Sequence, residues 1–217
     1  MRAMDEVPQA IAERVGRVAL ALGATLDDAA ARALGGFVAL VAAYNRRIDL
    51  TAARSEDELV DLMLADALVL APHIPAGAGV VDVGSGAGAP GLPLAIARPD
   101  LRVTLVEPLQ KRVAFLRTAI GALLPPGARP EVARGRGEDI ARRGTRFDTA
   151  ISRAALPPDR WLALGSTLAP VGDVWVLLAR EEPPARAGRV IAFDLRYRWP
   201  LTGAERRAVQ LVPAPPP

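Results

Sequence analysis

Through the first seventy residues, apolar positions recur every three or four places, the spacing of amphipathic helices. Ile11, Val15, Val18 and Leu22 line one such face, with Pro8 as a first-turn residue and Gly23 as the stop. Thr25-x-x-Asp28 predicts the cap of a second helix carrying Leu34, Phe37, Val38 and Val41. Ser55-Glu56-Asp57-Glu58 reads as a capping box for a third, with Leu59, Leu62, Met63 and Leu70 on its apolar face. Such stripes predict core, and no ligand is assigned to them. From Val80 the pattern changes to short β-branched runs alternating with helical stretches. Strands are expected at Val80–Val83, Arg102–Val106, Glu131–Ala133, Phe147–Ser152 and Val174–Leu178. Helices are expected up to Ala97, from Leu109 to about Leu124, briefly after Arg136, and over Trp161–Leu168. The chain closes on a hairpin, Val190–Trp199 and Arg206–Val212, turning at Thr202-Gly203. This alternation predicts an α/β fold: a doubly wound, Rossmann-like sheet with an antiparallel strand from the C-terminal hairpin. Residues 1–78 are expected as a helical extension packed on the sheet, 79–213 as the core, and 214–217 as a disordered tail.

The junction of the first strand and its helix carries the most chemistry. Val80-Val81-Asp82-Val83 runs into Gly84-Ser85-Gly86-Ala87-Gly88-Ala89-Pro90-Gly91. Only glycine lets such a turn take positive φ and bring its backbone against a ligand, and the following helix presents free N–H groups. The next strand ends in Glu107, where a nucleotide-binding β-α-β unit places its ribose-binding acid, about twenty residues on. Two cofactors compete for this loop. Gly86-x-Gly88-x-x-Gly91 satisfies the dinucleotide fingerprint of NAD or FAD sites. Asp82-x-Gly84-x-Gly86-x-Gly88 satisfies the acid-then-alternating-glycine pattern of S-adenosyl-L-methionine (SAM) methyltransferases. SAM carries a sulfonium and an ammonium but no phosphate, so Asp82 attracts it and would repel a pyrophosphate. The acid favours SAM.

Composition narrows the classes further. At 217 residues the chain fits one domain with a real core. No apolar run approaches the roughly 18 residues of a membrane span, and Asp5 and Glu6 argue against a secretion signal, so a cytoplasmic protein is expected. The absence of cysteine excludes disulfides, thiolate metal sites and the cysteine-adduct route to carbon-5 of pyrimidines. His73, the only histidine, cannot build a histidine metal cluster. The net charge of +3 is unevenly spread: residues 1–110 carry 9 basic and 14 acidic groups, residues 111–217 carry 18 and 10. Arg129, Arg134, Arg136, Arg142, Arg143, Arg146 and Arg153 cluster in the second half. Only Lys111 among the 27 basic residues is lysine, a bias that explains the choice of arginine but not the clustering. Such a cluster suits phosphates and favours a nucleic-acid partner.

The chain resembles the bacterial glucose-inhibited division protein B family of small-subunit ribosomal RNA methyltransferases. The resemblance spans nearly the whole chain. It rests on Tyr44-Asn45 through Asp49-Leu50-Thr51, Asp82 to Ala95, Leu109-Gln110-Lys111-Arg112-Val113-Ala114-Phe115-Leu116-Arg117, and Phe147-Asp148 with Ile151-Ser152-Arg153-Ala154. It implies the class I SAM-dependent methyltransferase fold and transfer of a methyl group from SAM to N7 of a guanine in 16S rRNA. Carried over residue by residue, Asp82, Gly84, Ser85, Gly86 and Gly88 would line the methionine end of SAM and Glu107 would meet the ribose. Gly137 and Glu138 would frame the adenine. Arg136 and Arg153 would hold the target nucleotide as the catalytic pair, Arg153 also touching the cofactor. The chain departs from the family where a histidine and a serine usually flank the acid at 66; here stand Met63 and Ala67. Ala89 replaces an aromatic, Asp49 an asparagine, and Leu178-Ala179-Arg180 a Leu-Lys-Gly.

N7 of guanine has a free lone pair, so no base has to remove a proton first. An amino-group methyltransferase would want an Asn/Asp-Pro-Pro-aromatic run after the fourth strand, which Ser152-Arg153-Ala154-Ala155-Leu156-Pro157-Pro158-Asp159 lacks. Expected partners are 16S rRNA or the small ribosomal subunit, with no metal and no membrane, for a monomeric chain. Three other readings stay open on the residues: a methyltransferase with another substrate, a SAM- or nucleotide-sensing RNA-binding protein without catalysis, and an NAD oxidoreductase.

Overall fold

The computed structural model describes residues 7–127, 130–184 and 188–215. Arg129 and the last two residues of the expected tail lie outside them. Three helices lead: α1 (Gln9–Ala21), α2 (Asp28–Ile48) and α3 (Glu56–Leu70). The second is capped by Asp27, whose side chain accepts the Ala30 N–H, and not by the expected Thr25 box. Asp27 lies immediately before the first helical residue, the place from which a side-chain oxygen reaches the free N–H groups. Ser55 caps α3 as expected, accepting the Glu58 N–H.

Four strand–helix units and a fifth strand follow: β1 (Gly79–Val83), α4 (Gly91–Ala97), β2 (Arg102–Glu107), α5 (Gln110–Leu123), β3 (Glu131–Arg134), α6 (Gly137–Arg142), β4 (Thr149–Arg153), α7 (Pro158–Leu168) and β5 (Asp173–Leu178). The hairpin β6 (Arg189–Arg198) and β7 (Glu205–Pro213) ends the chain. All seven strands join one sheet in the order β3-β2-β1-β4-β5-β7-β6. The first five are mutually parallel, and β7 runs antiparallel to both β5 and β6. Ala214 N still donates to Gly188 O, so the first residue of the expected tail is tied to the sheet.

Alternation along the parallel strands sorts side chains to the two faces. Val80, Leu105, Ile151 and Trp175 enter the larger core, shared with α1–α5. Val81, Val83, Val106 and Val176 enter a smaller one with α6 and α7. Among the described residues no helix stands between β5 and β6, where Pro183 and Pro184 interrupt the chain. On the smaller face Val209 and Leu211 of β7 stay buried in the core, while Asp194, Arg196 and Arg198 of the outer strand β6 are exposed. At the far end of the sheet, Arg189 is buried at the start of β6 and donates to the carbonyls of Ala169, Gly172 and Leu211 and to Ser166 Oγ. A cation there suits the C-terminus of α7. Among the described residues no helix is long and apolar enough to cross a membrane.

One packing contact links the helical extension to the glycine loop. Phe37 of α2 is fully buried, and its ring stands 3.3 Å from where a Cβ on Gly88 would lie. Phe37→Ala is expected to cost about 3–5 kcal/mol and to loosen the loop. Thermal unfolding checks the first effect; cofactor titration on the folded fraction checks the second.

Candidate active site

β1 lies between β2 and β4. The helices after β1 and β2 pack on one face and those after β3 and β4 on the other, so the carboxyl end of β1 is the point where the winding reverses. Crevices of doubly wound sheets open at such points. The glycine loop leaves the sheet here, held by its own backbone. Gly84 N and Ser85 N donate to Val106 O, and Gly88 N donates to Ser85 O at 2.7 Å.

The two acids read from the sequence brace this loop. Asp82 Oδ2 accepts the Gly91 N–H at 3.0 Å across the loop's base. Glu107 accepts Gly86 N–H on one oxygen, at 3.0 Å, and Leu109 N–H on the other, at 2.8 Å. Both carboxylates are almost fully buried. Asp82 Oδ1 is buried with no hydrogen-bond partner. Burial pushes the Asp82 carboxyl up to about 7, although the Gly91 N–H and the charge of Arg153 pull the other way. An ionised carboxylate in that position wants a cation.

Gly84 adopts φ +76°, and a Cβ there would stand 2.4 Å from Ala155 Cβ. Gly84→Ala is thus strained twice, with the left-handed backbone alone costing about 1–2 kcal/mol. Its expected outcome is a loss of at least about tenfold in cofactor affinity, equivalent to ~1.4 kcal/mol. Calorimetric titration would read it.

The turn into α6 reaches the same edge, since Gly135 N donates to Glu107 O. Gly137 is a packing glycine: a Cβ there would meet Leu164 and Val83 at 2.7 and 2.8 Å. Arg136 and Glu138 are exposed beside it, on an open groove with Pro108 and Arg142. Arg136 N donates to Asp139 Oδ2, which caps the helix.

Arg153 lies elsewhere. It ends β4 on the wall of a cavity of about 230 Å³, with Leu62, Trp161, Tyr197, Trp199 and Arg206. The two arginines paired from the sequence therefore line different hollows. Arg153 Nη1 donates to Asp66 Oδ2 at 3.0 Å and to Leu62 O. Asp66 Oδ1 accepts the Tyr197 hydroxyl at 2.7 Å and Trp199 Nε1–H at 3.0 Å. Burial, and then the charge of Asp66, hold the Tyr197 phenol above its usual range. Arg206 lies over the Trp199 ring, 3.7 Å from its centre, a cation–π contact. Tyr197, Trp199 and Arg206 were missed by sequence reasoning, and the acid at 66 entered it only as a family position without a role. A further signal for Asp66 was a carboxylate inside the apolar stretch of α3.

The sequence profile of the family described as rRNA small subunit methyltransferase G matches residues 30–184. The chain belongs to that family. A relative named ribosomal RNA small subunit methyltransferase G from Anaeromyxobacter dehalogenans is 40% identical over 162 residues, covering 74% of this chain and 75% of its own. One of the same name from Myxococcus xanthus is 34% identical over 195 residues, covering 86% and 90%. Among solved structures, the magnesium protoporphyrin IX methyltransferase of Synechocystis with bound SAM superposes with a TM-score of 0.54 at 18% identity, covering 88% of this chain and 99% of its own. That likeness establishes a common fold, the class I methyltransferase fold expected from the strand–helix alternation. The family match covers the glycine loop, Asp66 and Arg153 and stops before the hairpin that supplies Tyr197, Trp199 and Arg206.

Proposed function

We propose that this chain transfers a methyl group from SAM to N7 of a guanine in bacterial 16S rRNA. Family membership is the observation that carries the reading, and the site geometry supports it. Asp82 Oδ1, buried and without a partner, fits a cationic group and not a pyrophosphate. Gly84, Ser85, Gly86 and Gly88 line the methionine end, and Glu107 keeps one lone pair on each oxygen for the ribose after accepting its two backbone N–H groups. Arg136 with Gly137 and Glu138 borders the adenine side. SAM, when bound, supplies an electrophilic methyl group on a sulfonium.

The chain's own residues have one task, to orient. N7 has no proton to lose, so aligning it with the methyl carbon and sulfur is the catalytic act. Arg153 and Arg206 are the cations of the cavity. An arginine that gripped N7 itself would cover the reacting atom, so their guanidinium groups hold guanine O6 or a phosphate. The chain acts in the cytoplasm, as a monomer, on 16S rRNA within or apart from the small subunit. The exposed arginines of α6 and the hairpin neutralise RNA phosphates on the approach to the cavity.

The test is transfer of labelled methyl from SAM to small subunits lacking the modification, beside deproteinised 16S rRNA, with N7-methylguanine as readout. Label at a single guanine is expected. Absence of label on both, with SAM binding measured in the same preparation, would overturn the assignment.

A further inference from the structure

Asp66 is almost fully buried, yet three elements converge on it. Its Oδ2 takes Arg153 from the end of β4, and its Oδ1 takes Tyr197 and Trp199 from β6 and the turn beyond it. Its neighbours on α3, Met63 and Ala67, carry no hydrogen-bond donor, so these donors come from other parts of the fold. The consequence for Arg153 is geometric. Nη1 is spent on Asp66 and the Leu62 carbonyl, both on α3, which fixes one corner of the guanidinium. Among the described residues, Nε and Nη2 make no hydrogen bond and remain available on the wall of the cavity. The consequence for Arg206 runs through Trp199: the indole is pinned by its Nε1–H on Asp66, and the Arg206 guanidinium lies on that ring.

We propose that Asp66 is a positioning residue for methyl transfer, one carboxylate that orients both guanidinium groups of the cavity, Arg153 directly and Arg206 through Trp199. The proposal rests on the reading of this cavity as the place where the target nucleotide is held. Asp66 borders the cavity, but both its oxygens already accept from Arg153, Tyr197 and Trp199, so it acts on the substrate through those partners. Its effect is to convert two long, many-rotamer side chains into a preset pair spaced by α3, β4 and the hairpin. A misplacement of about 1 Å in such a pair is enough to cost roughly 100-fold in rate.

The test uses the full chain and its natural substrate, the unmethylated small subunit. Asp66→Asn preserves size but removes the charge and turns one accepting oxygen into a donor. The expected result is a fall of about 100-fold in kcat/KM for the subunit, with SAM affinity within about twofold of the unaltered protein. The decisive measurement is the combination with Arg153→Ala and Arg206→Ala. If Asp66 acts through those two residues, adding Asp66→Asn to the double variant lowers transfer no further. A multiplicative loss in the triple variant would overturn the proposal, because a merely structural defect adds to the others. Near-normal transfer by Asp66→Asn beside an inactive Arg153→Ala would also overturn it while leaving the cavity assignment intact. Full activity of Arg153→Ala and Arg206→Ala would remove the cavity assignment, and the proposal with it. Should Asp66→Asn fail to fold, Trp199→Phe takes its place. That variant is expected to match the loss of Arg206→Ala and to add nothing to it, and additivity there overturns the proposal.

Discussion

Arg153→Ala is expected to lower methyl transfer to the small subunit by two to three orders of magnitude, about the range seen when a preset charged donor is removed from a reacting centre. SAM affinity should fall far less than transfer, because no hydrogen bond of the glycine loop runs through this side chain and its charge acts on Asp82 only as one of the smaller influences. The variant has a second, separable cost. Arg153 is the cation paired with Asp66, and removing one partner of a buried ion pair costs about 3–5 kcal/mol. The low end applies here, because Asp66 keeps its donors from Tyr197 and Trp199 and the Arg153 side chain is one-fifth exposed. Arg153→Lys separates the two effects. A lysine still presents a cation to Asp66 but not a planar fork of donors. It should restore most of the melting temperature and little of the transfer rate. Parallel losses of SAM affinity and transfer in both variants would count against the substrate role.

Much of the fold was legible because its signals are local. Apolar spacing of three and four placed α1, α2, α3 and α5, and short β-branched runs bounded by glycine and proline placed β1, β2 and β5. The errors lie where tertiary pairing, not local preference, decides. Phe147 and Asp148 look like strand residues, but Phe147 N donates to Leu168 O and Asp148 N to Gly79 O, and ladder pairing of β4 begins at Thr149. α7 starts at Pro158, ahead of the expected Trp161, because a proline at the first helical positions needs no N–H partner.

The site divides in the same way. The glycine loop, Asp82 and Glu107 are contiguous with strand ends and could be found from spacing alone. The cavity side could not. The role of Asp66 was hidden because α3 is buried nearly all round and its periodicity reads as core. Its partners Tyr197 and Trp199 lie 131 and 133 positions away along the chain, and no local pattern couples such distances. The same holds for Asp61, which accepts from Leu201 N, Thr202 N and Thr202 Oγ and so anchors the tip of the hairpin on α3. A carboxylate inside an apolar helix is expensive unless paired. Two of them on α3, facing one hairpin, are what bring Arg206 to the cavity.

The affinity of the chain for SAM should rise about tenfold per pH unit between pH 5.5 and 7, then level off. A cationic ligand requires the ionised form of Asp82, and burial pushes that carboxyl up to about 7 in the free protein. Below this value the proton must leave before the ammonium can pair. Calorimetry at pH 6 in two buffers of different ionisation enthalpy should therefore show close to one proton released per SAM bound, and Asp82→Asn should bind weakly with no pH dependence. The same group sets the stability of the unliganded protein with the opposite trend. In the unfolded chain Asp82 ionises near 3.8, whereas in the folded chain it holds its proton to about 7. Between those values the folded state binds more protons, so stability is highest at the acid end and falls with rising pH, by about 1.4 kcal/mol per unit for one proton. The loss is complete above about pH 7. Asp100, Asp139 and Asp194 work in the other direction. Their arginine or backbone partners lower their pKa values, so their stabilisation is lost only as pH falls below the ordinary carboxylate range. The two windows do not overlap. Burial also raises the Asp61 carboxyl, which therefore shares the trend of Asp82, so a melting series from pH 4.5 to 7.5 isolates Asp82 when it is run beside the same series on Asp82→Asn. A series that is flat there, or SAM affinity that does not change from pH 5.5 to 7.5, would mean that the buried acid is not the partner of the cofactor's charge.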